Sequence, residues 1–335
     1  MDLLHPVPES APAQLRTLAL VGAAAQRGEG PPQRAFLAAV QRVVLRTALD
    51  LNALEPITPA ELVADALDPA EARQLVRLMV VMAMIDGPPT EAQMSLLRSV
   101  SEALHVKEPA VEVIGHLAKG RVLRFRLAFL RRSHIRAYFR NTRAMLGVSG
   151  VITGVLRFRG LIGEDGTTVS RFRALEQLPE DSFGHHFFRH CVDAEIPFPG
   201  EKGGFPAGAV FHDLTHVLSG YDTSPEGEIK NAAFQAGYTK GDHDFFTLLI
   251  AVVLHATGIN LTPFDMGFRP GRMGEGRLAE DMLLELERGN GVARDLGDRW
   301  DFWEYLELPI DVARERLGIA PVDALDARRL AGARS

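Results

Sequence analysis

His212-Asp213-Leu214-Thr215-His216, then the run Gly220-Tyr221-Asp222-Thr223-Ser224-Pro225-Glu226-Gly227, then Glu228: the reading of this chain turns on that stretch. On an α-helix, residues four apart lie about 40° apart around the axis and ~6 Å apart along it, so the imidazoles of His212 and His216 converge. Asp213 stands ~100° round from His212, at the edge of the same face. The turn formers that follow predict a break, and the apolar pattern beyond predicts a second helix with Glu228 in its first turn, placed to close the site. His212, Asp213, His216 and Glu228 are therefore the candidate metal ligands. Nitrogen and oxygen donors of this kind suit one divalent ion: zinc first, or iron, manganese or cobalt where positions stay open, and not a thiolate site. The competing reading is a chance histidine pair on a solvated helix face, against which the carboxylates and the glycine turn weigh.

Outward from that stretch, 335 residues suffice for two domains, or for one large domain with an appendage. The richness in Ala, Leu and Arg leans helical, and the fold class expected is all-α. The single cysteine, Cys191, excludes an internal disulfide and reads as a buried core residue in a reducing compartment rather than a catalytic thiol. Residues 1–14, with Asp2, Glu9 and three prolines, read as a flexible tail and not as a targeting peptide; residues 321–335 read as a second tail. The longest uncharged stretch, Phe245 to Phe264, contains His255, Gly258, Asn260 and Pro263, so its apolar part falls short of a bilayer span and predicts a buried core helix. His243 reads as a cap of that helix. The expected location is the cytoplasm, with the inner membrane face as a peripheral alternative.

Net charge is −6, but its distribution is uneven. Between Val113 and Gly163 there is no Asp or Glu, while Lys119, Arg121, Arg124, Arg126, Arg131, Arg132, Arg136, Arg140, Arg143, Arg157 and Arg159 supply eleven positive charges. Lys119 to Arg143 interleaves basic residues with Leu123, Phe125, Leu127, Phe129, Leu130, Ile135, Tyr138 and Phe139. Such a mixture fits a basic amphipathic helix on an anionic membrane surface or on the acidic part of this protein, and equally a connecting helix whose arginines are solvated or paired internally. Nucleic acid is not expected, because no reading motif accompanies the charge. Self-association is left open.

From Leu15 to Leu49 apolar residues recur at helical spacing, interrupted by Arg27-Gly28-Glu29-Gly30-Pro31-Pro32. Leu75 to Val106 repeats the arrangement around Asp86-Gly87-Pro88-Pro89, with Thr90 as N-cap, so this half reads as a repeat of αα-hairpins. Leu78-Met79-Val80-Val81-Met82-Ala83-Met84-Ile85-Asp86-Gly87, followed by Thr90-Glu91-Ala92, resembles the TerB-like domain, a helical module named from tellurite-resistance proteins. The resemblance covers residues 15–118 and implies the fold. Acidic ligands are too sparse for the metal site proposed in some members. Residues 119–159 then form a basic connecting helix and Gly-rich linker.

Beyond residue 160, Asp181 or Ser182 caps a helix running through His190. His185, His186 and His190 are candidates for a second metal cluster, against the commoner alternative of unrelated surface or core histidines. Ile196 to Gly208 is loop chemistry, suited to gating the metal helix or merely connecting to it.

Residues 160–320 resemble the coenzyme Q biosynthesis protein 4 family, whose hallmark is H-D-x-x-H, eleven residues, then Glu. His212, Asp213, His216 and Glu228 satisfy it, with Leu178-Pro179-Glu180, Gly184, Val217-Leu218-Ser219-Gly220-Tyr221, Glu287-Arg288-Gly289, Trp300-Asp301 and Leu308-Pro309 in family order. Two departures are the TerB-like half, which usual members lack, and Ser224-Pro225-Glu226 inside the turn. The resemblance implies a helical metal- and lipid-binding domain that holds or acts on a prenylated quinone precursor beside quinone-biosynthesis enzymes, with oxidative decarboxylation at the ring C1 as the activity. Catalytic residues beyond the metal ligands are not identified. A non-catalytic lipid-binding scaffold is the alternative, and a metal-dependent phosphohydrolase, suggested by the His-Asp dyad, a weaker one.

Overall fold

The computed structural model describes residues 1–322 except 7, 27, 56, 59–60, 63–66, 134–146, 151, 205–208, 242, 262–269 and 299. Among them there is no β-strand, only an isolated bridge between Ser182 and Pro309, so the fold is all-α as expected. The main helices are α1 (Ala11–Ala23), α2 (Pro31–Ala39), α3 (Pro69–Met84), α4 (Glu91–Ala103), α5 (Pro109–Ala118), α6 (Val122–Leu130) and α7 (Gly166–Arg173). They continue with α8 (Phe183–Asp193), α9 (Phe211–Ser219), α10 (Pro225–Tyr238), α11 (Asp244–Thr257), α12 (Leu278–Asn290), α13 (Trp303–Leu306) and α14 (Ile310–Leu317).

The paired hairpins read from the sequence are present: α1 and α2 flank one Gly-Pro-Pro turn, α3 and α4 the other, and α1 packs on α3. Thr90 caps α4 through a capping box, its Oγ1 accepting from Gln93 N at 3.0 Å while Gln93 Oε1 accepts from Thr90 N at 2.9 Å. Ser182 caps α8, accepting from His185 N at 3.1 Å.

The apolar interior does not divide where the sequence suggested. One core joins residues from Met1 to Phe129 with Ile229, Ala233 and Ala236 of α10 and with much of α11 and α12. A second core, from Phe172 to Ile319, takes Phe234 and Tyr238 from the other side of α10. α10 is thus the seam of the molecule, and the C-terminal half completes the core of the N-terminal hairpins. Periodicity identifies the buried face of each helix but not the helix that covers it. At the seam α10 meets α12 backbone to backbone. A Cβ on Gly237 would lie 2.4 Å from Leu286 O, and one on Gly289 2.1 Å from Phe234 O, so only glycine fits at either position. α11, with Phe245, Phe246, Leu248, Leu249, Val252 and Val253 buried, is the expected core helix. No helix among the described residues is long and apolar enough to cross a membrane.

Residues 1–14 are not a tail. Met1 and Leu3 are buried, and α1 begins at Ala11. Two remote amides replace the missing backbone partners: Leu3 N donates to Asn290 Oδ1 (2.7 Å), Asn290 Nδ2 to Met1 O (2.7 Å), Leu4 N to Gln74 Oε1 (2.7 Å), and Gln74 Nε2 to Leu4 O (2.9 Å). Prolines and charges mark the segment as irregular, and its anchors lie 70 and more residues away, beyond local pattern. His243 stands at the N-cap position of α11 without a side-chain cap; its Nδ1 instead donates to Arg132 O (2.8 Å). Of the basic stretch, α6 is described, while residues 134–146, including Arg136, Arg140 and Arg143, lie outside the described residues.

Candidate metal centre

Two helices that meet at a short loop bring the ligands together. α9 carries His212 and His216 and ends at Gly220, whose φ of 82° lets Gly220 N and Tyr221 N both close onto His216 O. Its remaining C-terminal carbonyls are capped from remote helices. Arg288 Nη1 donates to Ser219 O (2.9 Å), and Arg314 donates to Leu218 O (3.0 Å) and Val217 O (3.1 Å). α10 opens with Ser224 as N-cap, accepting from Gly227 N at 3.1 Å, and Pro225 in the first turn. A Cβ on Gly227 would strike Asp222 O at 2.1 Å, so glycine lets the loop fold against the helix start one residue before Glu228.

The result is a compact set of donors. Glu228 Oε1 lies 3.4 Å from His216 Nε2 and Glu228 Oε2 3.5 Å from His212 Nε2, and one ligand atom from each residue lies within 4.8 Å of the others. Donor atoms about 2.0–2.2 Å from a tetrahedral ion are about 3.3–3.6 Å apart, so these separations match ligands around one cation. The rings of His212 and His216 stand edge to face at 80°, with centroids 5.0 Å apart. His216 is fully buried, whereas the His212 side chain is 30% exposed, so the cluster is reached from the His212 side.

Tautomers decide whether those nitrogens can serve. His216 Nδ1 lies 3.2 Å from Tyr221 O; a carbonyl only accepts, so Nδ1 carries the hydrogen and Nε2 presents a lone pair. That buried Nε2 faces Glu228 Oε1 at 3.4 Å without a well-aligned hydrogen bond, an arrangement that a cation shared by the two would satisfy. Tyr221 is itself fixed, its hydroxyl donating to the buried Glu285 at 2.6 Å, and Glu285 accepts from Arg288 at 3.0 Å. On the other ligand, the Gln235 side-chain amide lies 3.2 Å from His212 Nδ1 and 2.7 Å from Thr215 Oγ1. With its oxygen toward the ring, Nδ1 holds the hydrogen and Nε2 is free for an ion; with its nitrogen there, Nε2 donates to Glu228.

Without an ion the three residues form a charge pair. Burial works against the charge on Glu228, but the two imidazoles outweigh it and hold the carboxyl well below the usual range. Burial likewise opposes protonation of His212, yet Glu228, with Asp213 and Gln235, pushes that ring up to about 9. A cation must therefore displace a proton.

Three of the four candidate ligands are brought together, and Asp213 is outside the group. Its carboxyl is buried on α9, where burial pushes its pKa up. No second cluster forms among the described residues: His185 Nδ1 contacts Glu176 O (3.2 Å) instead of the other histidines. His190 instead turns to the centre, its ring stacked on His216 at 5.6 Å and 19°, with a buried Nε2 that has no hydrogen-bond partner. Burial, then the neighbouring histidines, bring His190 down to about 4. Cys191 is buried with its thiol pushed up by burial, as a core residue should be. The supporting residues Gln235 and Asn231, whose Nδ2 donates to His212 O at 3.5 Å, were missed, although Glu228, Asn231 and Gln235 recur at i, i+3, i+7 as a polar stripe on one face of the helix. Tyr221, Glu285 and Arg288 had no such local signature.

No protein-family model matches the chain, and no curated protein matches it significantly.

Proposed function

We propose that this protein holds one divalent ion on His212, His216 and Glu228 and uses it to bind or transform a prenylated aromatic compound, with oxidative removal of the ring C1 carboxyl as the reaction. The observation that carries this reading is a two-histidine, one-carboxylate set whose donor atoms converge, reached from one side. Three protein ligands leave coordination positions for substrate or O₂, and this donor set is shared by catalytic zinc sites and by non-haem iron oxygenases. When bound, the ion supplies Lewis-acid polarisation of a carboxylate or phenolate and, if redox-active, activation of O₂. The chain's own residues do the rest. Tyr221 O holds His216 in the binding tautomer, Gln235 positions the His212 ring, Glu228 offers the charge, and the burial of His216 excludes water from the inner side. The resemblance of residues 160–320 to the coenzyme Q biosynthesis protein 4 family supports the choice of substrate class, and that of residues 15–118 to TerB-like domains supports an appended helical module. Metal analysis and lipid mass spectrometry on the natively purified protein test the reading. About one divalent ion per chain and a co-purifying prenylated aromatic are expected, with both lost in His216→Ala. A wild-type protein without stoichiometric metal, or a variant that keeps it, overturns the proposal.

A further inference from the structure

Among the described residues, eight large hydrophobic side chains are exposed, and seven of them lie between residues 122 and 161: Val122, Leu123, Leu127, Val148, Ile152, Val155 and Leu161. The same interval falls inside the stretch from Val113 to Gly163 that has no acidic residue and eleven basic ones. Two independent anomalies, greasy side chains in water and unbalanced positive charge, therefore coincide.

Their arrangement on α6 is specific. Phe125 and Phe129, one turn apart, are fully buried, and Phe129 packs edge-on against Phe246 of α11 at 5.3 Å, so the helix is anchored and its outer face is set. On that outer face Leu123 is 70% and Leu127 50% exposed, again one turn apart. Around the helix, Arg126 and Arg124 fall on either side of the leucine pair, and both are exposed. Val148, Ile152 and Val155, in helical segments 147–150 and 152–158, repeat the outward apolar spacing at i, i+4, i+7.

We infer that α6, with Val148, Ile152 and Val155, docks this protein on a bilayer leaflet rich in anionic phospholipid. Aliphatic tips flanked by guanidinium groups match the acyl boundary beneath a layer of phosphates. A second copy of the chain is the poorer occupant, because the same face would bring arginine against arginine. The inference stands apart from the metal reading, since it uses none of the ligand residues.

Co-sedimentation of the full chain with phosphatidylcholine vesicles, with and without phosphatidylglycerol, tests it. Wild type is expected to bind the anionic vesicles and not the neutral ones, with binding weakened by salt. Arg124→Gln/Arg126→Gln is expected to lower the partition coefficient by on the order of tenfold or more, from about fivefold per basic residue. Leu123→Glu/Leu127→Glu is expected to abolish binding, and Leu123→Trp to retain it. These side chains are exposed, so helicity and bound metal should be unchanged in every variant, which separates this test from that of the metal centre. Binding that is equal for both vesicle types, absent in wild type, or indifferent to the leucine and arginine pairs overturns the inference. So does a wild-type dimer that Leu123→Glu/Leu127→Glu dissociates, which would make the face a protein interface.

Discussion

The candidate metal centre and the stretch from residue 122 to 161 each place side chains against the grain of their surroundings, and they resolve the conflict in opposite ways. At the centre polar groups are buried, and the structure answers most of them internally: Tyr221 for His216, Gln235 for His212, Arg288 for Glu285. Along 122–161 apolar groups are exposed, and nothing within the described chain covers them. Buried polar atoms are costly to leave unanswered, so the convergence of His212, His216 and the Glu228 carboxylate on one point carries weight toward a ligand. A single exposed leucine points to nothing, so the outer face is informative only because seven such residues fall together within an acid-free interval.

Substitutions that separate the two regions should differ steeply in effect. Glu228→Ala is expected to lower metal affinity by more than about a hundredfold, since ligand loss exceeds the effect of losing a supporting residue. Chelator competition would measure it, and Leu123→Glu/Leu127→Glu should leave the affinity where it is. Glu285→Ala strips a buried guanidinium of its carboxylate and frees Tyr221, and should cost about 3–5 kcal/mol in denaturant unfolding. Gln235→Leu removes the group that orients His212 and should weaken metal binding by about 10–100-fold while leaving the secondary structure intact by circular dichroism.

The pH response has a defined sign. His212 is pushed up from 6.5 to about 9 in the folded, metal-free state, so its contribution to stability is complete below about 6.5 and is lost as pH rises through about 9. Glu228 is held below its ordinary value, so its contribution is present above the usual carboxylate range and is lost on acidification. Metal-free protein should therefore become less stable between pH 6.5 and 9, whereas metal affinity should rise over the same interval as the proton leaves. Thermal unfolding with and without metal checks both, and a His212→Gln variant should lose the metal-free slope. The smallest effect belongs to the outer face: Leu123→Glu/Leu127→Glu should shift unfolding free energy by no more than about 0.5 kcal/mol, and a larger loss would mean that α6 is better covered than its exposure indicates.

Local pattern carried the ligand triad because its parts obey short-range rules. Histidines four apart share a helix face, and a Ser-Pro helix start puts Glu228 in the first turn, so His212, His216 and Glu228 could be read without coordinates. Asp213, equally close in sequence, is not in the cluster, since a neighbour ~100° round the helix can turn into packing instead of toward Glu228. His190 was visible only as one of three histidines, and its approach to His216 depends on how α8 packs against α9.

By itself the sequence determined the all-helical class, the paired hairpins with the Thr90 cap, a cap of α8 at Asp181 or Ser182, the core character of α11 and the histidine pair, because each follows from periodicity, capping or turn chemistry within a few residues. Tertiary structure alone decided that α10 joins two cores through the contact of Gly237 with Gly289, that Met1 and Leu3 are packed, and that Glu285 and Arg288 hold the loop behind the His212, His216 and Glu228 cluster. Those contacts link residues tens to hundreds of positions apart, where burial and hydrogen bonding depend on which helices meet and not on the order in which the chain spells them.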